Sequence, residues 1–229
     1  MKRKIFVLAM ALLVLTGCSN STPDQPQDTS ALDAGSVSGD VIPEGKTVSP
    51  LPSGIDPAHL DDCTVAVSFE QGDAYVDDTG VMQLKVKVYT YDLYDMADVS
   101  ALQVGDRITF CQEDVEITSL ERDGSNMVII NGGLKNGGIE LVANDGTAFY
   151  ANGFDDLKQY YELGEATLPV SADEFQFVDS SDLESDPVTY YPGDLLMDDS
   201  EFDCNFTPNN TTITVQGGYV VHMERVYNP

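Results

Sequence analysis

The chain has 229 residues and sets thirty-nine Asp and Glu against eleven Lys and Arg, a net charge of −28. Nucleic acid is excluded as a partner, because phosphate binding draws its affinity from clustered Lys and Arg. The same balance sets the molecule against anionic lipid surfaces.

Lys2, Arg3 and Lys4 precede an apolar run over residues 5–15 that closes in Leu15-Thr16-Gly17-Cys18. The eleven-residue run is too short to span a bilayer at about 1.5 Å per residue, and a basic start with a small-residue exit marks a cleaved export signal. The pattern resembles the signal and lipobox of bacterial lipoproteins. That resemblance implies that residues 1–17 are removed, that Cys18 becomes the lipid-modified, palmitate-bearing first residue, and that the lipid holds the chain on a cell membrane, facing outside the cytoplasm. Loss of the signal takes Lys2, Arg3 and Lys4 with it and leaves eight basic against thirty-nine acidic side chains, a net of −31.

Residues 18–58 read as a disordered linker. From residue 19 they hold no Phe, Tyr or Trp and six of the eleven prolines, among Ser, Thr, Asp, Gln and Gly. Such a stretch cannot bury enough apolar surface to offset its ordering, and forty flexible residues reach about 35 Å. Packing is assigned to residues 59–229 as one β-rich domain, which at this size buries about 70% of its unfolded surface. No segment of it approaches the eighteen consecutive apolar residues of a membrane helix.

Period-two alternation dominates the domain. Val65, Val67 and Phe69 share one face of a first strand, and Met82, Leu84, Val86 and Val88 one face of a longer one with Gln83, Lys85 and Lys87 between them. A helical turn is expected around residues 96–102. A two-residue turn at Asp123-Gly124 would set Ser119 opposite Val128 and Ile117 opposite Ile130, and a turn at Glu113-Asp114 would set Phe110 opposite Ile117 and Ile108 opposite Ser119. Asn131-Gly132-Gly133 through Gly138 reads as a glycine-rich loop without the Gly-Lys-Ser/Thr ending of a phosphate cradle. Hairpins are expected about Asp145-Gly146 and Gly217-Gly218. One helix is expected near 155–162, from an acidic start, Leu157, Tyr160 and Tyr161 at helical spacing, and Gly164 as its exit. Eight to ten strands with helix only in connections predict a mainly β fold, an antiparallel β-sandwich or partly open β-barrel.

Between Gln159 and Glu224 there are fourteen acidic residues and no Lys or Arg. Asp179, Asp182, Glu184 and Asp186, or Asp198, Asp199, Glu201 and Asp203, have the oxygen chemistry for calcium, without the EF-hand spacing; the competing reading is a solvated acidic loop. Any acidic pair can be cast as the acid and base of a glycan hydrolase, which needs two carboxylates about 5–10 Å apart with one held protonated by burial. His59 and His222 lie in no hydrolase motif, and no Gly-x-Ser-x-Gly or His-Glu-x-x-His occurs. Cys63, Cys111 and Cys204 allow at most one internal disulfide, with all three pairings open, and their acidic neighbours raise thiol pKa values and disfavour a nucleophile. Tyr89, Tyr91 and Tyr94, beside Asp92 and Asp95, form a candidate ligand face able to stack on sugar rings or meet a cationic peptide.

The reading reached is a lipid-anchored, extracytoplasmic binding or interaction module without catalytic residues or cofactor, similar in its general look to small bacterial surface lipoproteins. Its partners are the membrane, through Cys18, and a glycan, cationic peptide or surface protein. The alternatives are a carboxylate-dependent glycan hydrolase and a calcium-binding surface domain.

Overall fold

The computed structural model describes residues 45–70, 72–124, 126–196 and 205–228. The expected signal, the expected lipobox with Cys18, the expected linker up to residue 44, Cys204 and the second acidic group, Asp198, Asp199, Glu201 and Asp203, lie outside the described residues.

The fold is mainly β. The described residues hold sixteen strands: β1 (Thr47–Val48), β2 (Cys63–Ser68), β3 (Ala74–Val76), β4 (Met82–Tyr91), β5 (Leu93–Asp95), β6 (Arg107–Phe110), β7 (Glu113–Glu116), β8 (Leu120–Asp123), β9 (Met127–Ile130), β10 (Ile139–Asn144), β11 (Ala148–Asn152), β12 (Tyr160–Pro169), β13 (Gln176–Ser180), β14 (Val188–Tyr190), β15 (Thr211–Gln216) and β16 (Tyr219–Val226). That exceeds the expected eight to ten because several, such as β1, β3, β5 and β14, have only two or three residues. Alternation needs about four residues to register. The helical turn expected around residues 96–102 is α1 (Met96–Ser100), whose first amides are capped by Asp95.

The largest sheet runs β12-β4-β2-β15-β16-β13-β14, with β3 also on β4. Its long strand alternates as read: Leu84, Val86 and Val88 are buried while Lys85 and Lys87 are exposed. The sheet curls over its own core, because Val170, just past edge strand β12, bridges Val220 of β16, and Ser171 N–H donates to Val220 O at 3.0 Å. Val65, Val67, Phe177, Ile213 and Met223 fill that curl. A second core lies between the five-stranded sheet β5-β11-β10-β9-β8 and the three-stranded sheet β1-β6-β7. The result combines half-barrel and sandwich, with two parallel pairings, β1 on β6 and β13 on β16, among the antiparallel ones.

Several expectations are corrected. The helix near 155–162 is a 3-10 turn at Phe154–Asp156 followed by strand β12. Asp155 and Asp156 both have φ +59°, and Tyr160 and Tyr161 pair with Tyr91 and Thr90. A ten-residue partner strand outweighs a short helical pattern built on tyrosines, which themselves favour strands. The segment 45–58, read as linker, belongs to the fold: Val48 is buried, Leu51 N–H donates to Leu93 O at 2.6 Å, and Ile55 packs on the first core. Its apolar residues are spaced too widely among Pro, Ser and Gly to show a period.

The β6–β7 turn falls at Cys111-Gln112, not Glu113-Asp114, so Ile108 opposes Val115 and Phe110 opposes Glu113. The β8–β9 pairing sets Leu120 opposite Ile130 and Arg122 opposite Val128. Ile108, Phe110, Ile117, Val128 and Ile130 still meet, but from facing sheets instead of one face across three strands. The Gly217-Gly218 turn is a two-residue hairpin turn, both glycines at positive φ. A bulge between Thr214 and Val215 puts His222 opposite Thr214, where an unbroken ladder from that turn would put it opposite Ile213. The extra residue reverses the phase, so Met223 and Arg225 turn inward and Val226 outward.

Candidate functional site

Because Leu84, Val86 and Val88 point into the first core, Lys85, Lys87 and Tyr89 stand on the outer face of β4. β2 accompanies β4 only as far as Ser68, opposite Lys87, and β3 joins it at Ala74, opposite Leu84. Between these points the chain swings away from β4, tied back where Lys85 N–H donates to Asp73 O at 2.8 Å. The interruption opens a groove of about 540 Å³, lined by Ser68, Phe69, Glu70, Asp73, Lys85, Val86, Lys87, Tyr89, Glu165, Asn205 and Phe206.

Aromatic and charged groups divide the groove between them. Phe69 and Phe206 stack with ring centroids 4.1 Å apart, and the Tyr89 hydroxyl lies 3.1 Å from Ser68 Oγ. Lys85 Nζ sits 3.0 Å from Glu165 and Lys87 Nζ 3.4 Å from Glu162, pairs set by the β4–β12 register. Glu165 raises the Lys85 pKa through its hydrogen bond and charge, and the charge of Glu162 raises that of Lys87. Both ammoniums stay protonated, each beside a carboxylate. Exposed pairs of this kind add little stability. What they offer is a row of donors and acceptors with nearly balanced charge.

The expected tyrosine face separates into three environments. Tyr89 lines the groove, and Tyr91 packs edge-on to Tyr160 with centroids 5.3 Å apart, under Lys158 Nζ at 4.1 Å from its ring. Tyr94 is fully buried in the second core, so it belongs to no ligand face. After Tyr91 the chain leaves the large sheet, and β5 pairs with β11, which restarts the inward-outward phase. The residue at the crossing, Asp92, is buried: its Oδ2 accepts from Cys111 N–H at 2.7 Å and from the Tyr94 hydroxyl at 3.1 Å. Burial and the Asp92 charge push Tyr161 up to about 12 and the Cys111 thiol up to about 11. Burial also raises Cys63. Cys63 and Cys111 are both free thiols, so that pairing is not formed, and neither has the depressed pKa of a nucleophile.

The first acidic group does not converge on an ion. Asp179 makes a two-pronged pair with its direct cross-strand neighbour Arg225, Nε donating to Oδ1 at 3.0 Å and Nη2 to Oδ2. Asp182 caps a turn, accepting from Glu184 N–H and Ser185 Oγ, and Glu184 and Asp186 are exposed. Among the described residues no three His, Cys, Asp or Glu side chains are placed to share a metal ion. His59 is exposed and meets Asp56 at 2.9 Å in a turn. No described helix is long and apolar enough to cross a membrane.

Sequence reasoning missed the Phe69–Phe206 stack and the interruption beside β4, although the outward Lys85 and Lys87 were legible from the alternation. Compared with known proteins, the chain matches no family model, no curated protein sequence and no solved structure.

Proposed function

We propose that this chain is a lipid-anchored, extracytoplasmic binding module that takes a neutral, hydroxyl-rich ligand, a glycan, in the groove beside Tyr89. The observation that carries the reading is the pairing of Lys85 with Glu165 and Lys87 with Glu162 beside aromatic rings. Sugar hydroxyls both donate and accept hydrogen bonds, and their C–H faces stack on aromatic rings, so matched donor-acceptor rows suit them better than a field of one sign. Glu70 and Glu165 are exposed, and Glu165 has an ammonium against it. A glycosidase acid needs apolar burial that keeps it protonated, so these carboxylates favour binding over hydrolysis.

Affinity electrophoresis of the full-length chain through gels containing soluble polysaccharides tests this. At least one neutral polysaccharide is expected to retard the protein, and Tyr89→Ser with Lys87→Ala should weaken retardation by about tenfold, on the order of 1.4 kcal/mol, without lowering the melting temperature. Retardation by none of them, or equal retardation of the variant, rejects the groove as the site. Release of new reducing ends would replace the reading with a hydrolase.

A further inference from the structure

The glycine-rich loop before β10 takes no part in the groove, yet it holds two of the chain's three Asn-Gly pairs, Asn131-Gly132 and Asn136-Gly137; the third is Asn152-Gly153. Asparagine is thermolabile, and most so before glycine, which carries no side chain to keep the next backbone nitrogen away from Asn Cγ. In a folded chain the reaction then depends on how firmly the asparagine and the following amide are held.

The three pairs are held very differently. Asn131 Oδ1 accepts from Thr118 N–H at 2.8 Å, from Thr118 Oγ1 at 2.9 Å and from Ser119 N–H at 3.2 Å, and its Nδ2 donates to Glu116 O at 2.8 Å. Asn152 is buried in β11, and the next amide, of Gly153, donates to Leu157 O at 2.6 Å. A Cβ on Gly153 would lie 3.2 Å from both Leu157 O and Gln159 Oε1, which leaves that backbone little space to turn. Asn136 stands exposed at the end of a 3-10 turn over Leu134–Asn136, and its side chain makes one hydrogen bond, Nδ2 to Gly132 O at 2.8 Å. Gly137 closes the turn through a single bond, N–H to Leu134 O at 3.1 Å. It is exposed at φ +76°, and nothing lies within 4 Å of where its Cβ would stand.

We propose that Asn136 is a site of spontaneous deamidation, and that of the three Asn-Gly pairs it is the one that reacts in the folded chain. Opening of the turn frees the Gly137 nitrogen, which gives up its proton and attacks Asn136 Cγ. The N–Cγ bond forms, the Cγ–Nδ2 bond breaks, and the amide leaves with that proton as ammonia. Water then opens the cyclic imide, at Cγ to give aspartate or at the main-chain carbonyl to give isoaspartate. Either product sets a carboxylate, which cannot donate, where Nδ2 had bonded Gly132 O, so the modification unfastens the loop ahead of β10. The site is independent of the groove and of whatever fills it.

The test is to hold the full-length chain in warm, mildly alkaline buffer, with and without concentrated urea, and to map its peptides over time by liquid chromatography and mass spectrometry. Without urea, Asn136 is expected to convert about tenfold or more faster than Asn131 and Asn152, with isoaspartate among its products; in urea all three should convert at similar rates, because the difference lies in local opening. Asn136→Asp reproduces the lost donor, and should speed hydrogen exchange at the Asn136 and Gly138 amides, both bonded to Gly133 O, while Leu141 and Ala151 in the second core stay protected. Folded-state conversion of Asn131 or Asn152 at the rate of Asn136, an Asn136 that converts only in urea, products without isoaspartate, or unchanged loop exchange in Asn136→Asp would overturn the proposal.

Discussion

Asp179 shows how far a single side chain's role depends on a neighbour distant in sequence. A stretch with fourteen acids and no Lys or Arg made it look like a cation ligand, yet its cation is Arg225, one residue past that stretch and delivered by the parallel pairing of β13 with β16. Nothing local announces a partner forty-six residues away. Both side chains are nearly buried, and the guanidinium carbon lies 4.8 Å from the Phe206 ring that lines the groove. Burial raises the Asp179 pKa, but the Arg225 and Ser181 hydrogen bonds outweigh it and leave the carboxyl below its ordinary value. A depressed folded-state pKa contributes stability above the unfolded pKa of about 3.9, and that contribution fades as pH falls through the folded value. Asp179→Asn strands a buried guanidinium, which costs about 3–5 kcal/mol. Urea unfolding at pH 7 should show that loss, and below about pH 4 the difference from wild type should shrink as the native Asp179 takes up its proton. A loss under about 1 kcal/mol would mean that the pair merely breaks even with its desolvation.

At the scale of elements, local chemistry reads well only where the partner is also local. The Gly217-Gly218 hairpin and the β4 alternation were legible because turn and pattern lie within a few residues of each other. The bulge at Thr214 and Val215 has no signature of its own, and its one inserted residue puts His222, Met223 and Arg225 on the faces opposite to those a regular ladder from the Gly217-Gly218 turn would give. The helix misread at 155–162 has the same origin, since its competitor, β4, lies some seventy residues upstream. The groove was hidden for that reason too, being a gap between β2 and β3 along a shared neighbour. Gly138 supplies a sharper test of element packing. A Cβ there would stand 2.2 Å from Ile130 O and 2.6 Å from Asn131 O, both backbone atoms unable to rotate aside. Gly138→Ala must therefore push the start of β10 off β9, an overpacking cost of about 1–3 kcal/mol. Thermal unfolding should show it, and the Glu140–Asn152 pairing two residues further on should loosen with it. An unchanged melting temperature would mean that the loop before β10 absorbs the shift.

Over the whole molecule, the class of fold was legible because alternation is a property of every long strand, whereas strand order depends on which distant strands bury each other's faces. Two separate cores made it harder, since apolar residues close in sequence, such as Val88 and Tyr94, pack into different clusters. Charge acts at this scale as well. The proposed mature chain carries −31 and would be repelled by anionic lipid. Electrostatics then lends the proposed anchor no second hold, and under that proposal attachment would rest on the lipid at Cys18. Two consequences distinguish this from peripheral binding. A wash in about 1 M salt, where the Debye length is about 3 Å, strips proteins held by charge and should leave the wild type in the membrane fraction. Cys18→Ser removes the proposed acyl acceptor and should send the protein to the soluble fraction whatever the salt, because the charge of so acidic a chain does not draw it to the bilayer. Retention of that variant would reject the lipid anchor, and release of the wild type by salt would reject the charge argument on which the expected insensitivity rests.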